Sequence, residues 1–171
     1  MKQICTLCKA NEVDKPEQSS VRNITGGVCS SCNRRFNTSS SAANLKALAD
    51  AIDAPVLVMQ SDPRQVYTAN RKALELFKKE LDRVEKQRGG QVFDCVRAFT
   101  EAGCGKDVHC QPCKIKNAIV DTLSTGRPYK GVSALLDIRK NTGTSTYTVQ
   151  ISTEKIGDMA LIRIDQYNNK A

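Results

Sequence analysis

The eight cysteines of this 171-residue chain fall into two groups of four, and none lies outside them. The first group contains Cys5, Cys8, Cys29 and Cys32, and the second contains Cys95, Cys104, Cys110 and Cys113. In a reducing compartment, grouped cysteines bind metal more often than they form disulfides, because cellular reductants keep thiols reduced. The grouping therefore predicts two metal sites, and the fold must bring each group of four together.

Nothing in the sequence points to export or to a membrane. The N-terminal segment lacks the apolar core and the small residues of a secretory signal. The longest wholly apolar run, residues 54–59, is far shorter than the roughly 20 residues that a transmembrane helix needs. We therefore expect a cytoplasmic protein with no membrane partner.

The chain has 26 basic and 18 acidic residues and thus a net charge of +8. Such a charge suits nucleic acid, an anionic surface or an acidic partner. Over residues 71–90, however, basic and acidic side chains are interspersed, as on a solvated surface. Tryptophan is absent and aromatic residues make up 5% of the chain, so stacking platforms for single-stranded nucleic acid are scarce. Nucleic acid is therefore a less favoured partner than protein.

Residues 1–38 are too polar to form a core of their own and need a cross-link. The pairs Cys5-x2-Cys8 and Cys29-x2-Cys32 have the spacing at which four thiolates bind one tetrahedral zinc ion. The stretch ICTLC...GGVCSSCNRRF is also similar to short four-cysteine modules of bacterial signalling proteins. We predict a zinc-finger module over residues 1–38. Its expected role is contact with a protein or stability of the fold, and DNA binding is the less favoured role.

Residues 39–53 are predicted to form a linker and a helix. Serines 39–41 supply side-chain oxygens that can cap a helix. Leu45, Leu48, Ala49 and Ile52 then recur with the spacing of one helical face. The segment should therefore be an amphipathic helix that precedes the next domain.

From residue 54 onward the apolar pattern alternates between strand and helix periods. It predicts strands over residues 55–60 and 65–69, a helix from Asn70 to Gly89, a short helix over 91–102, a loop over 103–113, a helix over 114–126, and strands over 132–139, 146–152 and 159–164. Strands grouped at both ends, with helices between them, favour an α+β fold with an antiparallel sheet over alternating parallel units.

The stretch AIDAPVLVMQSDPRQVYTANRKALELF, with its strand, turn, strand and Asn70-x-x-Ala73-x-x-x-Phe77, resembles the opening of a PAS sensory domain. The resemblance covers residues 54–167. It implies a PAS-like five-stranded antiparallel sheet with helices on one face, and a domain that senses ligands, redox state or partners. The sequence departs from the family pattern after Phe77, where a charged stretch and then the second group of cysteines follow.

The second group has the spacing Cys95-x8-Cys104-x5-Cys110-x2-Cys113. Four thiolates can hold either a zinc ion or a [4Fe-4S] cluster, and the spacing alone does not choose between them. Lys106, Lys114 and Lys116 are expected to offset the negative charge of four thiolates. The stretch GCGKDVHCQPC also resembles one found at this place in bacterial PAS sensors, some of which carry clusters. Zinc would imply an architectural role, and a cluster would imply sensing.

The residues for acid–base catalysis are largely missing. His109 is the only histidine, and we interpret it as an exposed loop residue. Attached c-type haem is excluded, because Lys114 rather than histidine follows Cys113. No paired carboxylates stand in a recognisable motif. We therefore expect a protein that is not an enzyme.

Together these features predict a cytoplasmic sensor module that responds to redox state, metal or ligand. The predicted PAS domain reaches almost to residue 171, so we expect a signal to pass by contact with a signalling protein partner. The helix before the sheet lies where PAS domains commonly pair, and we expect a homodimer. The alternative is a zinc-dependent nucleic-acid-binding transcriptional regulator that uses the N-terminal finger.

Overall fold

The computed structural model describes residues 24–25, 28–29 and 42–170. Strands β1 (Ile24–Thr25) and β2 (Val28–Cys29) form an antiparallel pair. Cys5, Cys8 and Cys32 lie outside the described residues, and Cys29 is described by its backbone alone. The zinc-finger module and its four ligands therefore remain a prediction.

The main sheet is antiparallel and has five strands in the order β4-β3-β7-β6-β5. These strands are β3 (Val56–Ser61), β4 (Arg64–Ala69), β5 (Tyr129–Lys140), β6 (Gly143–Ile156) and β7 (Met159–Asn169). This arrangement confirms the predicted α+β class and the five-stranded sheet. The last three strands are longer than the alternating pattern predicted, because their polar ends also pair across short turns.

The helical segments lie mostly between β4 and β5. The α-helices are α1 (Ala42–Asp50), α2 (Arg71–Phe77), α3 (Gly89–Val92) and α4 (Lys114–Thr125). Single 3-10 turns cover Leu81–Arg83, Val96–Phe99 and Val108–Cys110. The predicted helix over 114–126 is thereby confirmed, and it ends at Gly126 in the left-handed conformation.

The prediction of one helix from Asn70 to Gly89 is wrong. Helix α2 ends at Phe77 because Lys78 adopts a left-handed conformation with φ of 53°. Val84 nevertheless reaches the core, where it is fully buried, by way of the 3-10 turn. The short helix predicted over 91–102 is likewise interrupted by Asp94, whose φ is 61°.

Strand β3 is covered on both faces. Leu57 and Met59 belong to the main core, which α2 and α4 share. Val56 and Val58 face the opposite way and pack with residues of α1 and its C-terminal end, namely Leu45, Ala49 and Ile52. Because successive strand residues point to opposite faces, the continuous apolar run of β3 serves two layers. Helices α2 and α4 of the predicted PAS-like domain share one face of the sheet, and α1, which precedes that domain, packs on the other face.

Asn70 joins three of these elements. Its side-chain oxygen accepts hydrogen bonds from the backbone N–H of Ala73, at 3.0 Å, and of Val56, at 2.9 Å. Its amide nitrogen donates to the carbonyls of Ala49 and Ala54. The buried amide thus caps α2, as the sequence predicted, and also ties α1 to β3.

Candidate metal centre

All four cysteines of the second group line one cavity of about 50 Å³. Cys95 follows α3, Cys104 lies in the loop after it, Cys110 ends a 3-10 turn, and Cys113 immediately precedes α4. The apolar part of the lining comes from the sheet and the helices: Met59, Phe93, Ile115, Ile119 and Leu136. The fold therefore brings these four residues to the same place, although they are separated along the chain.

The four side chains are free thiols. Burial raises the pKa of the Cys95 and Cys104 thiols, and the neighbouring cysteines raise it further. A thiol in such surroundings keeps its proton near neutral pH unless a cation is bound close to the sulfur. Cys95 and Cys104 therefore favour the neutral thiol when no cation is near, and a bound metal would favour the thiolate.

Within the described ranges, no three histidine, cysteine or acidic side chains are close enough together to hold one metal ion. The thiols surround the cavity without meeting at a point. Coordination therefore requires the sulfurs to move inward. Soft thiolates fit zinc and iron–sulfur clusters, and the apolar lining would exclude water, so the residues present suit such a group.

Gly90 makes a close backbone contact with Cys104. Its N–H donates to Sγ of Cys104 at 3.2 Å. A Cβ atom at Gly90 would lie 2.6 Å from that sulfur, closer than atoms of real side chains approach. The pair Gly89–Gly90, which the sequence predicted to end a helix, instead begins α3 and allows this approach.

The charged side chains that line the cavity are all cationic: Arg64, Arg97 and Lys116. Lys116 was among the three lysines expected to offset the thiolates. Lys106 is exposed, and Lys114 lines a neighbouring depression instead. Arg64 was missed by sequence analysis, because no local pattern relates a residue of the β3–β4 hairpin to the cysteines.

Two arginines lie close to the loop that carries Cys104. Arg88 donates from Nη1 to the carbonyl of Cys104 at 2.8 Å. Burial and then the positive charge of Arg88 lower the pKa of Arg64, while Cys104, Cys110 and Cys113 raise it. Arg64 thus lies in the electrostatic field of three of the four cysteines.

His109 is exposed, as expected, and does not line the cavity. Its backbone N–H and its ring Nδ1 both contact the carboxylate of Asp107, at 2.9 and 2.8 Å. Together with the hydroxyl of Thr100, these bonds lower the pKa of Asp107 to about 2. Asp107 also caps the 3-10 turn that carries Cys110. The Asp107–His109 pair therefore stabilises the loop that carries Cys110 from the exposed side of that loop.

The segment before Cys95 is attached to the sheet at two strands. Cys95 itself forms an isolated antiparallel bridge with Ile138 of β5. The carbonyl of Phe93 accepts a hydrogen bond from the hydroxyl of Tyr167 on β7, at 2.9 Å. Cys95, which the sequence placed on a helix, is therefore held by the outer strand of the sheet.

Solved structures with a similar fold are light-oxygen-voltage and PAS domains. A substitution variant of RsLOV matches with a TM-score of 0.52 and 11% identity, over 78% of this chain and 72% of that one. The Rhodobacter sphaeroides LOV protein matches with a TM-score of 0.49 and 12% identity, over 71% of this chain and 64% of that one. The PAS domain of nitrogen regulation protein NR(II) from Vibrio parahaemolyticus matches with a TM-score of 0.44 and 15% identity, over 71% of this chain and 96% of that one.

The match to the RsLOV variant, together with the five-stranded antiparallel sheet, supports a PAS-like fold. The chain covers a little under two thirds of the length of the Rhodobacter protein. No protein-family model matches the chain, and no curated protein matches it. Among the helices of the described segments, none is long and apolar enough to cross a membrane.

Proposed function

We propose that this protein is a sensor module whose second group of cysteines binds a metal centre, either a zinc ion or a [4Fe-4S] cluster. One observation carries the proposal: four free thiols and three cationic side chains, with no carboxylate among the lining residues, surround a single small cavity. Four thiolates make a strongly negative site, and the cationic lining favours that charge.

Each candidate group would supply different chemistry. A cluster would gain or lose an electron, and zinc would hold the loop in place. The chain's own residues act in either case. The N–H of Gly90 stabilises negative charge on the Cys104 sulfur, and the apolar side chains of the lining keep water away.

Such a sensor would pass its signal through a change in the surface of the PAS-like domain. Cys113 precedes α4, and Cys95 is paired with β5, so inward movement of the two sulfurs acts on a helix and on an outer strand. A signalling protein that contacts this surface would read the change. The protein is thus a non-enzymatic module of the cytoplasm, and the N-terminal four-cysteine module adds a zinc site.

The homodimer belongs to this proposal, but the face first expected to form it is occupied. Leu45 and Ile52 are 5% exposed and pack, with Ala49, against the sheet of the same chain. Leu48 is partly buried in the same cluster. A dimer must therefore use a different surface from the apolar face of α1.

Elemental analysis and absorption spectra of the anaerobically purified full chain test the proposal. The double variant Cys110→Ser/Cys113→Ser should lose one centre, and the matched variant Cys5→Ser/Cys8→Ser should lose the other. Iron with acid-labile sulfide identifies a cluster, and two zinc ions per chain identify zinc. If the Cys110→Ser/Cys113→Ser variant contained as much metal as the wild type, the proposed centre would be refuted.

A further inference from the structure

Two guanidinium groups from distant parts of the sequence meet at Gly105, the residue after Cys104. Arg64 begins β4, and Arg88 immediately precedes α3. A Cβ atom at Gly105 would overlap Nη2 of Arg64 and would lie 3.2 Å from Nη1 of Arg88. Gly105 also has a positive φ of 79°. The backbone at Gly105 is therefore shaped to let both arginines approach the cysteine loop.

Among the residues that the structure describes, no acidic side chain neutralises the two arginines. In the part of the chain that the structure describes, neither forms an ion pair with a carboxylate. Both are partly buried, and two like charges held close together repel each other. Such an arrangement is costly unless an anion lies beside it. The ionisable groups that line the adjacent cavity and can become negative are the four cysteines.

We infer that Arg64 and Arg88 are the counter-charge of the metal centre, and this inference rests on the proposed function. A divalent zinc ion, or an oxidised [4Fe-4S] core, leaves a dianion when four thiolates bind it. Two guanidinium groups carry a matching charge of +2 and lie beside the other cations of the lining, Arg97 and Lys116. When the cavity holds no metal, the same two guanidinium groups lie together at Gly105 without a bound anion.

The inference predicts a reversal of sign. With metal bound, removal of either positive charge exposes part of the dianion and weakens the site. Without metal, removal of the Arg64 charge relieves the repulsion and stabilises the fold, whereas removal of Arg88 also loses its hydrogen bond to the Cys104 carbonyl. A residue with a merely structural role would change stability in the same direction in both states.

The test uses the full chain with Arg64→Gln, Arg88→Gln and the charge-retaining Arg64→Lys. Arg83→Gln is the matched control, because Arg83 is an exposed arginine on a nearby 3-10 turn. The measurements are the rate at which a chelator removes the metal and the melting temperature of the loaded and metal-free forms. Substitution of a residue that supports the ligands of a metal typically weakens metal binding by about 10- to 100-fold, so release should accelerate by about that factor in both glutamine variants.

Arg64→Lys should release metal more slowly than Arg64→Gln, and Arg83→Gln should match the wild type. Arg64→Gln should melt below the wild type when loaded and above it when metal-free. If both glutamine variants released metal at the rate of Arg83→Gln, the inference would be overturned. It would also be overturned if the melting temperature of Arg64→Gln shifted in the same direction in the loaded and metal-free forms. Neither result would count against the metal site itself. If the wild-type chain bound no metal at the second group of cysteines, the proposed function and this inference would both be overturned. Elemental analysis of the wild type distinguishes that result from a failure of the inference alone.

Discussion

The backbone N–H of Gly90 donates a hydrogen bond to Sγ of Cys104, with 3.2 Å between nitrogen and sulfur. This contact lowers the pKa of the Cys104 thiol, whereas burial, the larger influence, raises it. The carbonyl of Gly90 also accepts a hydrogen bond from the N–H of Cys95, at 2.8 Å, so this one residue of α3 contacts two of the four cysteines. The absence of a side chain at Gly90 is what makes the contact with the Cys104 sulfur sterically possible.

We predict that Gly90→Ala disrupts the site. The new methyl group would lie 2.6 Å from the Cys104 sulfur, so the loop must shift. Overpacking of this kind costs about 1 to 3 kcal/mol of unfolding free energy. Gly89→Ala is the matched control, because its Cβ would meet nothing closer than a ring carbon of Phe93, at 3.7 Å. Urea unfolding of both variants measures the difference, and equal stabilities would contradict the prediction.

Tyr167→Phe should loosen the segment that precedes Cys95. The hydroxyl of Tyr167 donates to the carbonyl of Phe93, and its ring packs against Phe77 and Tyr147. Loss of a partly buried hydrogen bond of this type costs about 1 kcal/mol. Thermal unfolding should show the loss, while amide exchange at Cys95 should accelerate. Tyr147→Phe serves as the control, and an effect of the same size there would show that the loss does not come from the hydrogen bond to Phe93.

The buried amide of Asn70 is expected to be the most sensitive position outside the cysteine site. Asn70→Ala would leave the N–H groups of Val56 and Ala73 and the carbonyl of Ala54 without their present partner, while the Ala49 carbonyl keeps its bond from the N–H of Ile52. Unpaired buried groups cost about 1 to 3 kcal/mol each, so we expect a loss of at least about 3 kcal/mol in chemical denaturation. The exposed Asn168→Ala on β7 should change stability little. A mild effect of Asn70→Ala would mean that water replaces these bonds.

Asp107 should make the cysteine loop sensitive to acid. Its pKa is about 2 in the folded protein, against an ordinary value of 3.8. The unfolded chain therefore takes up a proton at higher pH than the folded chain, so stability from this group is present above pH 3.8 and is lost as the pH falls to about 2. Over that interval, stability of the wild type should fall more steeply than that of Asp107→Asn. Asp158→Asn, in the exposed β6–β7 turn, should follow the wild type.

Much of the fold could be predicted because it depends on local patterns. The alternating apolar residues of β6, such as Val149 and Ile151, predict a half-buried strand, and Asn70 predicts a helix start. The end of α2 at Phe77 could not be predicted, since Lys78 carries no glycine-like signal for its left-handed conformation. Helix continuation past Phe77 was favoured by Leu81 and Val84, which reach the core by a different backbone path.

The cysteine site was predictable in part. The spacing identified the four residues, and the structure shows all of them around one cavity. Arg64 and Arg88 were not predictable, because their approach to Gly105 results from tertiary packing. The lysines next to the cysteines in sequence were the more obvious cations, but of these only Lys116 faces the cavity among the described side chains.

The bridge between Cys95 and Ile138 has a topological consequence. β5 is one margin of the sheet, and β4, which begins with Arg64, is the other. The lining of one interior cavity therefore reaches both margins of the sheet. Each margin is already partly covered by the chain's own backbone, since the N–H of Arg139 on β5 donates to the carbonyl of Asp94 and the N–H of Val66 on β4 donates to the carbonyl of Gln87. An added strand would find less free backbone at either margin than an open sheet edge offers.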